Sequence, residues 1–379
     1  MRSALMLGFF HTFMGPRLRA QIVKELLSIL RDPRSRMIVF APPLLQLLVF
    51  TFATTLEVRN ANIAVYNLDA GRWSHELQAR IGAADFVDRL YTVHDPGELQ
   101  ELVDRRKVIA GVQIGPEFSR DIAAGRTGEV QVIVDGRRSN AGQIAVGYLN
   151  SIAADVGSAA RGQAAPASRV VVRHWFNPNL VYRWFVVPAL SGILVFFSAL
   201  MITSLSIARE RELGTFDQLL VSPTTTAEII IAKAVPALAI GTVLGLMMIG
   251  AAAFLFRVPF TGSFWLLLPS LLLFILSVVG IGLMVSSISA TQQQAILGAF
   301  AIGVPAVLMS GFATPVENMP IALQWIAQAI PLTHFLVIVE GSFLKAMPAS
   351  DILANTWPLA LIALVSLTTA AVLVRSRLQ

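Results

Sequence analysis

The 379-residue sequence has no cysteine, only four lysines and little charge, and each shortage excludes a class of chemistry. Without cysteine the chain forms no disulfide, thiolate nucleophile or zinc–thiolate site. No lysine follows a glycine, so the Gly-Lys pair of a phosphate-binding loop for ATP is absent. The H-E-x-x-H and G-x-S-x-G patterns are also missing, and the five histidines are scattered. We therefore predict a chain that is not an enzyme, holds no metal and binds no cofactor itself.

The shortage of charge indicates the class of protein. Charged residues make up 14% of the chain and hydrophobic residues 55%, whereas about 25% of residues are charged in a soluble globular domain. This composition predicts an integral membrane protein whose main surroundings are the lipid bilayer. The net charge of +6 does not predict a nucleic-acid partner, because the basic residues stand beside the apolar runs and therefore indicate topology.

The apolar runs predict an α-helical polytopic membrane protein with six transmembrane helices. A helix needs roughly 20 apolar residues to cross the hydrocarbon core. The predicted spans are residues 37–56, 184–208, 234–256, two within the uncharged stretch 258–316, and 352–374. The polar cluster 286–294 is the predicted turn between the fourth and fifth spans. Lys233, next to the third span, is expected to extend its side chain to the membrane surface.

Six spans place both termini on one side of the membrane, and the distribution of basic residues predicts which side. One face receives seven Lys and Arg in residues 1–36, three in 209–233 and two in 375–379. The short loops of the opposite face contain only Arg257 and Lys345. The positive-inside rule therefore predicts cytoplasmic termini and a cytoplasmic 209–228 loop. Five of the six tryptophans fall near the predicted outer ends of spans, where indole prefers to lie.

Residues 57–183 form a large soluble insert, predicted to be a small α/β domain on the periplasmic side. The segments IAVYN and EVQVIVD alternate as strands do, and Asp95 with Glu98 predicts a capping box at a helix start. Pro116 and Gly125 bracket a second short helix. A longer helix is predicted over 140–156, with one face formed by Ile144, Tyr148, Ile152 and Val156.

The cytoplasmic N-terminus, residues 1–36, contains a predicted amphipathic elbow helix. Leu18, Ile22, Leu26 and either Ile29 or Leu30 line one side, and basic residues occupy the others. This pattern is typical of a helix lying on the cytoplasmic leaflet. A solvated helix packed on another subunit is the alternative.

The segment between the fifth and sixth predicted spans is apolar but is interrupted by Pro315, Pro320 and Pro331. It predicts short re-entrant helices in the outer leaflet. Its ionisable residues are Glu317, His334 and Glu340, which are candidates for a proton or substrate path because ionisable groups are costly in a membrane. The alternative places all three at the water boundary.

The loop RERELGTFDQLLVSP, residues 209–223, is the longest polar interruption between the later spans. Thr215 and Gln218 predict a capping box, so a short helix should begin at Phe216 and end before Pro223. Phe216, Leu219 and Leu220 then share one side, which predicts docking to a partner. Packing against the elbow helix of the same chain is the alternative. A second start signal, Thr225 with Glu228, begins the third span.

This loop closely resembles the cytoplasmic signature of type-2 ABC exporter permeases, E-R-E-x-G-T-x-x-Q-L-L-V-[ST]-P. The segments KELLSILRDPRSR, NPNLVYRWFVVPAL, ATQQQA and SGFATPVENMP resemble further motifs of the family in the same order. The resemblance implies that the loop contains the coupling helix that contacts an ATPase. The coupling residues would be Arg209, Glu210, Arg211, Glu212, Gly214, Thr215, Phe216, Gln218, Leu219, Leu220 and Pro223.

The resemblance also implies partners and a location. Two such chains, either identical or homologous to each other, would form the membrane part of the complex in a bacterial inner membrane. They would contact two ABC ATPase subunits that bind ATP and Mg. A periplasmic adaptor of the membrane-fusion type and efflux of drug-like or amphiphilic compounds are implied as well. Two alternatives are a membrane subunit that transmits ATP-driven motion to a periplasmic partner, and an ion-coupled antiporter.

Overall fold

The structure is a computed structural model that describes residues 15–31, 33–53, 61–134, 139–160, 176–177, 181–216 and 225–378. The chain divides into two compact units, a helical unit formed by Met1–Ala53 with His174–Gln379, and an α/β unit formed by Thr54–Arg173. In chain order the elements are α1 (Pro16–Leu30), α2 (Pro33–Ala53), β1 (Ala61–Asn67), α3 (Arg72–Gly82), β2 (Val87–Val93), α4 (Pro96–Asp104), β3 (Ala110–Ile114), α5 (Phe118–Ala123), β4 (Val130–Val134), α6 (Ser139–Ala160), α7 (Tyr182–Glu212), α8 (Thr226–Gly250), α9 (Phe264–Ile288), α10 (Gln292–Met309), α11 (Ile321–Gln328), α12 (Pro331–Leu344) and α13 (Ala349–Leu378).

Five helices are long and apolar enough to cross a membrane: Tyr182–Glu212, Thr226–Leu255, Phe264–Ile288, Gln292–Met309 and Ala349–Ser376. They coincide with the second to sixth predicted spans. The first predicted span falls on α2, whose apolar part, Val39–Phe52, is shorter; residues 54–56 of that span lie outside the described chain. A sixth crossing is obtained if α11 and α12, which are bent by 77° at their junction, are counted as one span.

The centre of the helical unit is formed by α7 and α9, which are the most buried of the five long helices. Phe274 of α9 stacks on Phe335 of α12 with ring centroids 4.1 Å apart. Gly282 of α9 lies against Thr203 of α7. A Cβ atom at position 282 would collide with the threonine side chain. Such small residues permit close packing of helices in a membrane. In contrast, α10 and α13 keep most of their apolar surface exposed, as helices that face lipid or another chain do.

The α/β unit contains a four-stranded sheet in the order β2-β1-β3-β4. Strand β1 pairs in parallel with β2 and β3, and β3 pairs antiparallel with β4. One face of the sheet is covered by α3, α5 and α6 around Ile63, Leu77 and Val112. The other face is covered by α4 around Tyr66 and Leu99. Both predicted strands are confirmed, as β1 and β4. However, β1 is covered on both faces and is therefore buried along most of its length instead of alternating.

A hydrogen-bond network joins distant segments of the α/β unit at Asp69. Its carboxylate accepts hydrogen bonds from the Ser119 amide at 3.0 Å and the Gly71 amide at 3.2 Å. The Ser119 hydroxyl in turn accepts from the Trp73 and Ser74 amides at 3.1 Å, so a residue of α5 caps α3. Burial alone raises the pKa of Asp69, but the hydrogen bonds from Ser119, Gly71 and Ser74 outweigh it and hold the pKa below its ordinary value.

Two predictions for this unit need correction. Asp95 does cap α4, but its side chain accepts from the Gly97 amide, and Glu98 accepts from the His94 amide instead of completing a box with Asp95. Tyr148 does not belong to the buried face of α6, because it is 43% exposed and its ring lies against Phe86. The buried residues of α6 are Ala145, Leu149 and Val156. The short helix between Pro116 and Gly125 is confirmed as α5, and Gly125 has a φ of +74°.

Candidate coupling site

The predicted coupling loop begins where α7 ends, and the backbone there explains the glycine of the motif. The Gly214 amide donates to the Arg211 carbonyl at 3.0 Å, and the Thr215 amide donates to the Glu210 carbonyl at 2.9 Å. These two bonds form a Schellman ending, which requires a left-handed residue just past the helix. Gly214 supplies that conformation with a φ of +69°. Since residues with a Cβ resist it, Gly214 fixes the direction in which the chain leaves α7.

Four charged side chains from three helices meet beside this ending. Lys233 Nζ of α8 lies 2.8 Å from Glu210 Oε2 of α7 and 3.4 Å from Glu25 Oε1 of α1. Lys24 Nζ, also of α1, lies 3.7 Å from Glu210 Oε1. Only 3% of the Lys233 side chain and 12% of the Glu210 side chain are exposed. The 2.8 Å contact is an ion pair without hydrogen-bond alignment. This cluster, which we call the Lys233 cluster, ties α1, α7 and α8 together.

The prediction that Lys233 extends its ammonium to the membrane surface was wrong. The side chain is buried because Glu210 and Glu25 approach it from two neighbouring helices. A buried cation is tolerated when carboxylates replace the water that it loses. Lys233 therefore belongs to the packing between helices instead of marking the end of a span.

Phe216 also differs from its prediction, because its side chain is buried within this chain instead of exposed for docking. The Arg211 guanidinium lies 5.0 Å from the centre of the Phe216 ring, a cation–π contact. Arg211 Nη1 donates to the carbonyls of Ser287 at 2.7 Å and Ser289 at 3.1 Å, at the end of α9. Phe216 thus holds the start of the loop against the helical unit. A docking face on this loop would therefore rest on its other apolar residues.

The ATQQQA motif lies at the same place, since it forms the start of α10. Glu212 Oε2 accepts a hydrogen bond from the Gln292 amide at 2.7 Å. The Thr291 hydroxyl accepts from the Gln294 amide at 3.2 Å and is the N-cap of α10. Both bonds satisfy amides that the helix itself leaves unpaired, and the carboxylate also stabilises the positive end of the helix dipole. Two motifs that are about 80 residues apart in the chain are thereby joined.

The far end of the loop is fixed by the predicted capping box, which the structure confirms. The Thr225 hydroxyl accepts from the Glu228 amide at 3.3 Å, and the Glu228 carboxylate accepts from the Thr225 amide at 2.8 Å. Residues 217–224 between these two fixed ends lie outside the described chain. They include Gln218, Leu219, Leu220 and Pro223, together with the rest of the short helix predicted from Phe216.

The other described coupling residues lie on the exposed surface at the end of α7. Arg209 and Glu212 are exposed, and so is Thr215, whose hydroxyl donates to the Glu210 carbonyl at 3.2 Å. Leu213 is 63% exposed, although it is a large apolar residue. Exposure of Leu213 beside a charged helix end leaves an apolar contact available to another molecule.

The structure does not bring the three predicted path residues together. Glu317 is exposed on the turn Val316–Asn318, His334 is buried in α12, and Glu340 is half-buried further along α12. His334 Nε2 lies 2.9 Å from the Gln328 carbonyl oxygen, which indicates that the ring proton is on Nε2. Within the described chain, no hydrogen bond or ion pair joins any two of the three. No group of three or more His, Cys, Asp or Glu side chains among the described residues is arranged to hold a metal.

Sequence reasoning missed Glu25, Lys233 and Gln292 as members of this site. Lys233 and Glu25 are 208 residues apart, so no local pattern connects them. The available signal was a lysine inside an otherwise apolar helix, because such a charge is costly without a nearby partner. For Gln292 no signal exists, since its contribution to the contact with Glu212 is a backbone amide.

Known proteins that are similar to this chain identify its family. Residues 34–372 match the family model described as ABC-2 family transporter protein. The chain is 42% identical to the probable multidrug ABC transporter permease YbhR of Escherichia coli (strain K12), over 91% of this chain and 95% of that protein. It is 29% identical to the probable multidrug ABC transporter permease YbhS of the same strain, over 86% of this chain and 88% of that protein. It is also 29% identical to the inner membrane transport permease YhhJ, over 84% of this chain and 86% of that protein. Because the family match covers most of its length, the chain belongs to the ABC-2 family of transporter proteins, as a polytopic membrane permease.

Proposed function

We propose that this chain is the membrane subunit of an ABC exporter that moves a drug-like or amphiphilic compound out of the cytoplasm or the inner leaflet. ATP and Mg would be bound and ATP hydrolysed on separate ATPase subunits. The names of the relatives YbhR and YbhS, which include multidrug transport, support this substrate class. The absence of a Gly-Lys phosphate-binding loop supports a motor on another polypeptide.

One observation carries the proposal: the end of α7 is connected to α1, α8, α9 and α10 at once. The Lys233 cluster makes the connections to α1 and α8. Arg211 makes the connection to α9, and Glu212 makes the connection to α10. An ATPase that pushes on residues 217–224 would therefore displace several helices together, which is what coupling of ATP hydrolysis to transport requires.

The docking step is tested with Leu219→Asp and Leu220→Asp in a pull-down of the ATPase by the tagged permease. A charge at the centre of an apolar contact costs several kcal/mol if it stays unpaired, so we expect ATPase recovery to fall at least about tenfold. Leu68→Asp, a charge added at an exposed apolar position of the α/β unit, is the matched control and should leave recovery unchanged. Normal recovery with both loop variants would refute docking through these leucines.

The proposed assembly contains two permease chains, identical or of sister kinds, on two ATPase subunits in a bacterial inner membrane, with both termini in the cytoplasm. The family and the names of the relatives support the membrane location and the ATPase partner. A periplasmic adaptor of the membrane-fusion type would receive the exported compound. Purification of the complex followed by mass measurement tests the copy number and the presence of the adaptor.

A second candidate function is transmission of motion to a periplasmic partner without a substrate pore. It is favoured by the separate compact unit Thr54–Arg173, which has its own sheet and core. Deletion of residues 60–170 distinguishes the two functions. A transporter with its own pore should keep ATP-dependent export after the deletion, whereas a transmitter should lose its output while ATP hydrolysis continues.

A proton-coupled antiporter would use Glu317, His334 or Glu340. Collapse of the proton gradient should abolish its transport, and depletion of ATP should not. The ABC exporter predicts the opposite result for both treatments. Measuring export under each treatment in the same cells therefore separates the two mechanisms.

A further inference from the structure

A cavity of about 430 Å³ lies at the opposite end of α7 from the coupling site. Its walls come from the end of α2, the start of α7 and the chain that follows α8. They combine apolar side chains, including Phe52 and Leu255, with Trp184 and the two guanidinium groups of Arg183 and Arg257. The volume is in the range of sites that bind one small molecule or one part of a larger one.

The two arginines of this cavity differ from those of the α/β unit. Arg80, Arg105 and Arg120 each form an ion pair with a nearby glutamate, at 2.6 to 2.8 Å. Within the described chain, Arg183 and Arg257 have neither an ion pair nor a side-chain hydrogen bond. Two cations that border one cavity, with no acidic side chain among the described residues that line it, repel each other and attract an anion.

The local backbone adds to this attraction at Arg183. It lies in the first turn of α7, which contains no acidic residue and has no side-chain cap. The unpaired amides of a helix start carry partial positive charge, so a guanidinium there is electrostatically unfavourable until an anion binds.

Arg257 is held in place by an unusual backbone. α8 continues into a π-helical turn, Ala251–Leu255, and Arg257 follows with a φ of +52°. A residue with a Cβ is strained in this left-handed conformation, and glycine is usual there. Backbone strain of this kind occurs at ligand sites. Glycine would adopt the same conformation without strain.

The apolar part of the cavity continues onto an exposed apolar surface. Phe52 and Leu255 are each 64% exposed, and the neighbouring Phe254 is 86% exposed. Phe52 and Phe256 pack with ring centroids 6.0 Å apart. Trp184 lies at the same level, and indole prefers the boundary between hydrocarbon and head groups. An anion that binds the arginines therefore has hydrocarbon directly beside it.

We propose that this cavity binds an anionic phospholipid. The phosphate accepts hydrogen bonds from the guanidinium groups of Arg183 and Arg257, and an acyl chain lies along Phe52 and Leu255. A free phosphate would satisfy the arginines but leave these apolar side chains uncovered. A zwitterionic lipid would bring its phosphate together with an ammonium group, which the two arginines repel. The site does not depend on ATP or on the coupling loop, so its test is independent of the exporter proposal.

The test is native mass spectrometry of the full-length chain taken from vesicles of equal parts phosphatidylglycerol and phosphatidylcholine. We expect the wild-type chain to retain phosphatidylglycerol at least about tenfold over phosphatidylcholine, since both lipids offer a phosphate but only phosphatidylcholine adds a third cation beside the two arginines. Arg183→Gln with Arg257→Gln should reduce the ratio to near unity. Arg183→Lys with Arg257→Lys should keep most of the preference, because the charge is retained.

Two further variants separate binding from folding. Arg257→Gly removes the guanidinium and at the same time relieves the left-handed strain, so it should lower lipid preference without lowering thermal stability. Lys107→Gln with Arg375→Gln removes two exposed charges that do not line the cavity and should change nothing. Equal retention of both lipids by the wild type, or an unchanged preference in the double glutamine variant, overturns the proposal. Displacement of the lipid by millimolar inorganic phosphate would identify a free anion instead and also overturn it.

Discussion

Lys233 shows how a single buried charge depends on its partners. Removing it as Lys233→Met leaves the carboxylates of Glu210 and Glu25 close together without the cation between them. We expect a loss of about 3 kcal/mol in stability, because breaking a buried pair leaves an uncompensated charge. The measurement is the apparent melting temperature of the detergent-solubilised chain.

The control for this prediction is Lys24→Met in the same cluster. Its side chain is 67% exposed and lies 3.7 Å from Glu210, so its loss should cost less than about 1 kcal/mol. Adding Glu210→Gln to Lys233→Met should recover part of the stability. Equal melting temperatures for Lys24→Met and Lys233→Met would contradict the burial argument.

A second prediction at the residue scale concerns Gly214. Gly214→Ala forces a Cβ into the left-handed conformation and should cost roughly 1 to 2 kcal/mol. Since the chain would leave α7 in another direction, ATP-dependent export should fall as well. Gly250→Ala is the matched control, because Gly250 is helical and a Cβ there meets open space. It should be neutral or stabilising, and a loss of export with Gly250→Ala alone would refute the argument.

Asp69 gives a pH dependence whose sign follows from its lowered pKa. Its carboxylate is more acidic in the folded state, so its contribution to stability is complete above the ordinary pKa of 3.8 and is lost as the pH falls through the lower folded value. Asp69→Asn should therefore speed hydrogen exchange at the Ser119 amide at neutral pH, and the difference from wild type should vanish in strong acid. Asp88→Asn, an exposed change on β2, should have no effect at any pH.

At the scale of elements, the start of α10 is held by one bond from its own N-cap and one from another helix. Thr291→Ala and Glu212→Ala should each cost about 1 kcal/mol, since each leaves an amide of α10 without its acceptor. Hydrogen exchange at the amides of Gln292 and Gln294 measures the two losses separately. Glu212→Ala should also reduce export, because it removes the hydrogen bond between the end of α7 and the start of α10. Thr291→Ala, which keeps that bond, should reduce export less.

The elements show which features the sequence predicts and which it does not. The starts of α8 and α10 and the turn before α10 were predictable, because caps and breakers act within a few residues. The contacts of Lys233 and the burial of Phe216 were not, because they depend on helices that are distant in the chain. Tyr148 was misplaced because a four-residue spacing cannot fix the rotation of a helix against its sheet.

For the whole molecule, the absence of cysteine permits a direct test of topology with single introduced cysteines. Leu213→Cys in the loop and Lys345→Cys after α12 are both at exposed positions. If the loop is cytoplasmic and α11–α12 is re-entrant, an impermeant maleimide added outside should label only Lys345→Cys. Labelling of neither variant until the membrane is opened would mean that α11–α12 crosses as a span. Labelling of Leu213→Cys from outside would reverse the proposed orientation.

α7 runs as one helix from Tyr182 to Glu212, a length of about 46 Å at 1.5 Å per residue. Pro188, near its Arg183 end, removes one of its backbone hydrogen bonds. A tilt imposed at the Glu210 end would therefore reach Arg183 through this proline. If the proposed ATPase contact exists, substitutions around Arg183 should covary with substitutions around Glu210 across related chains.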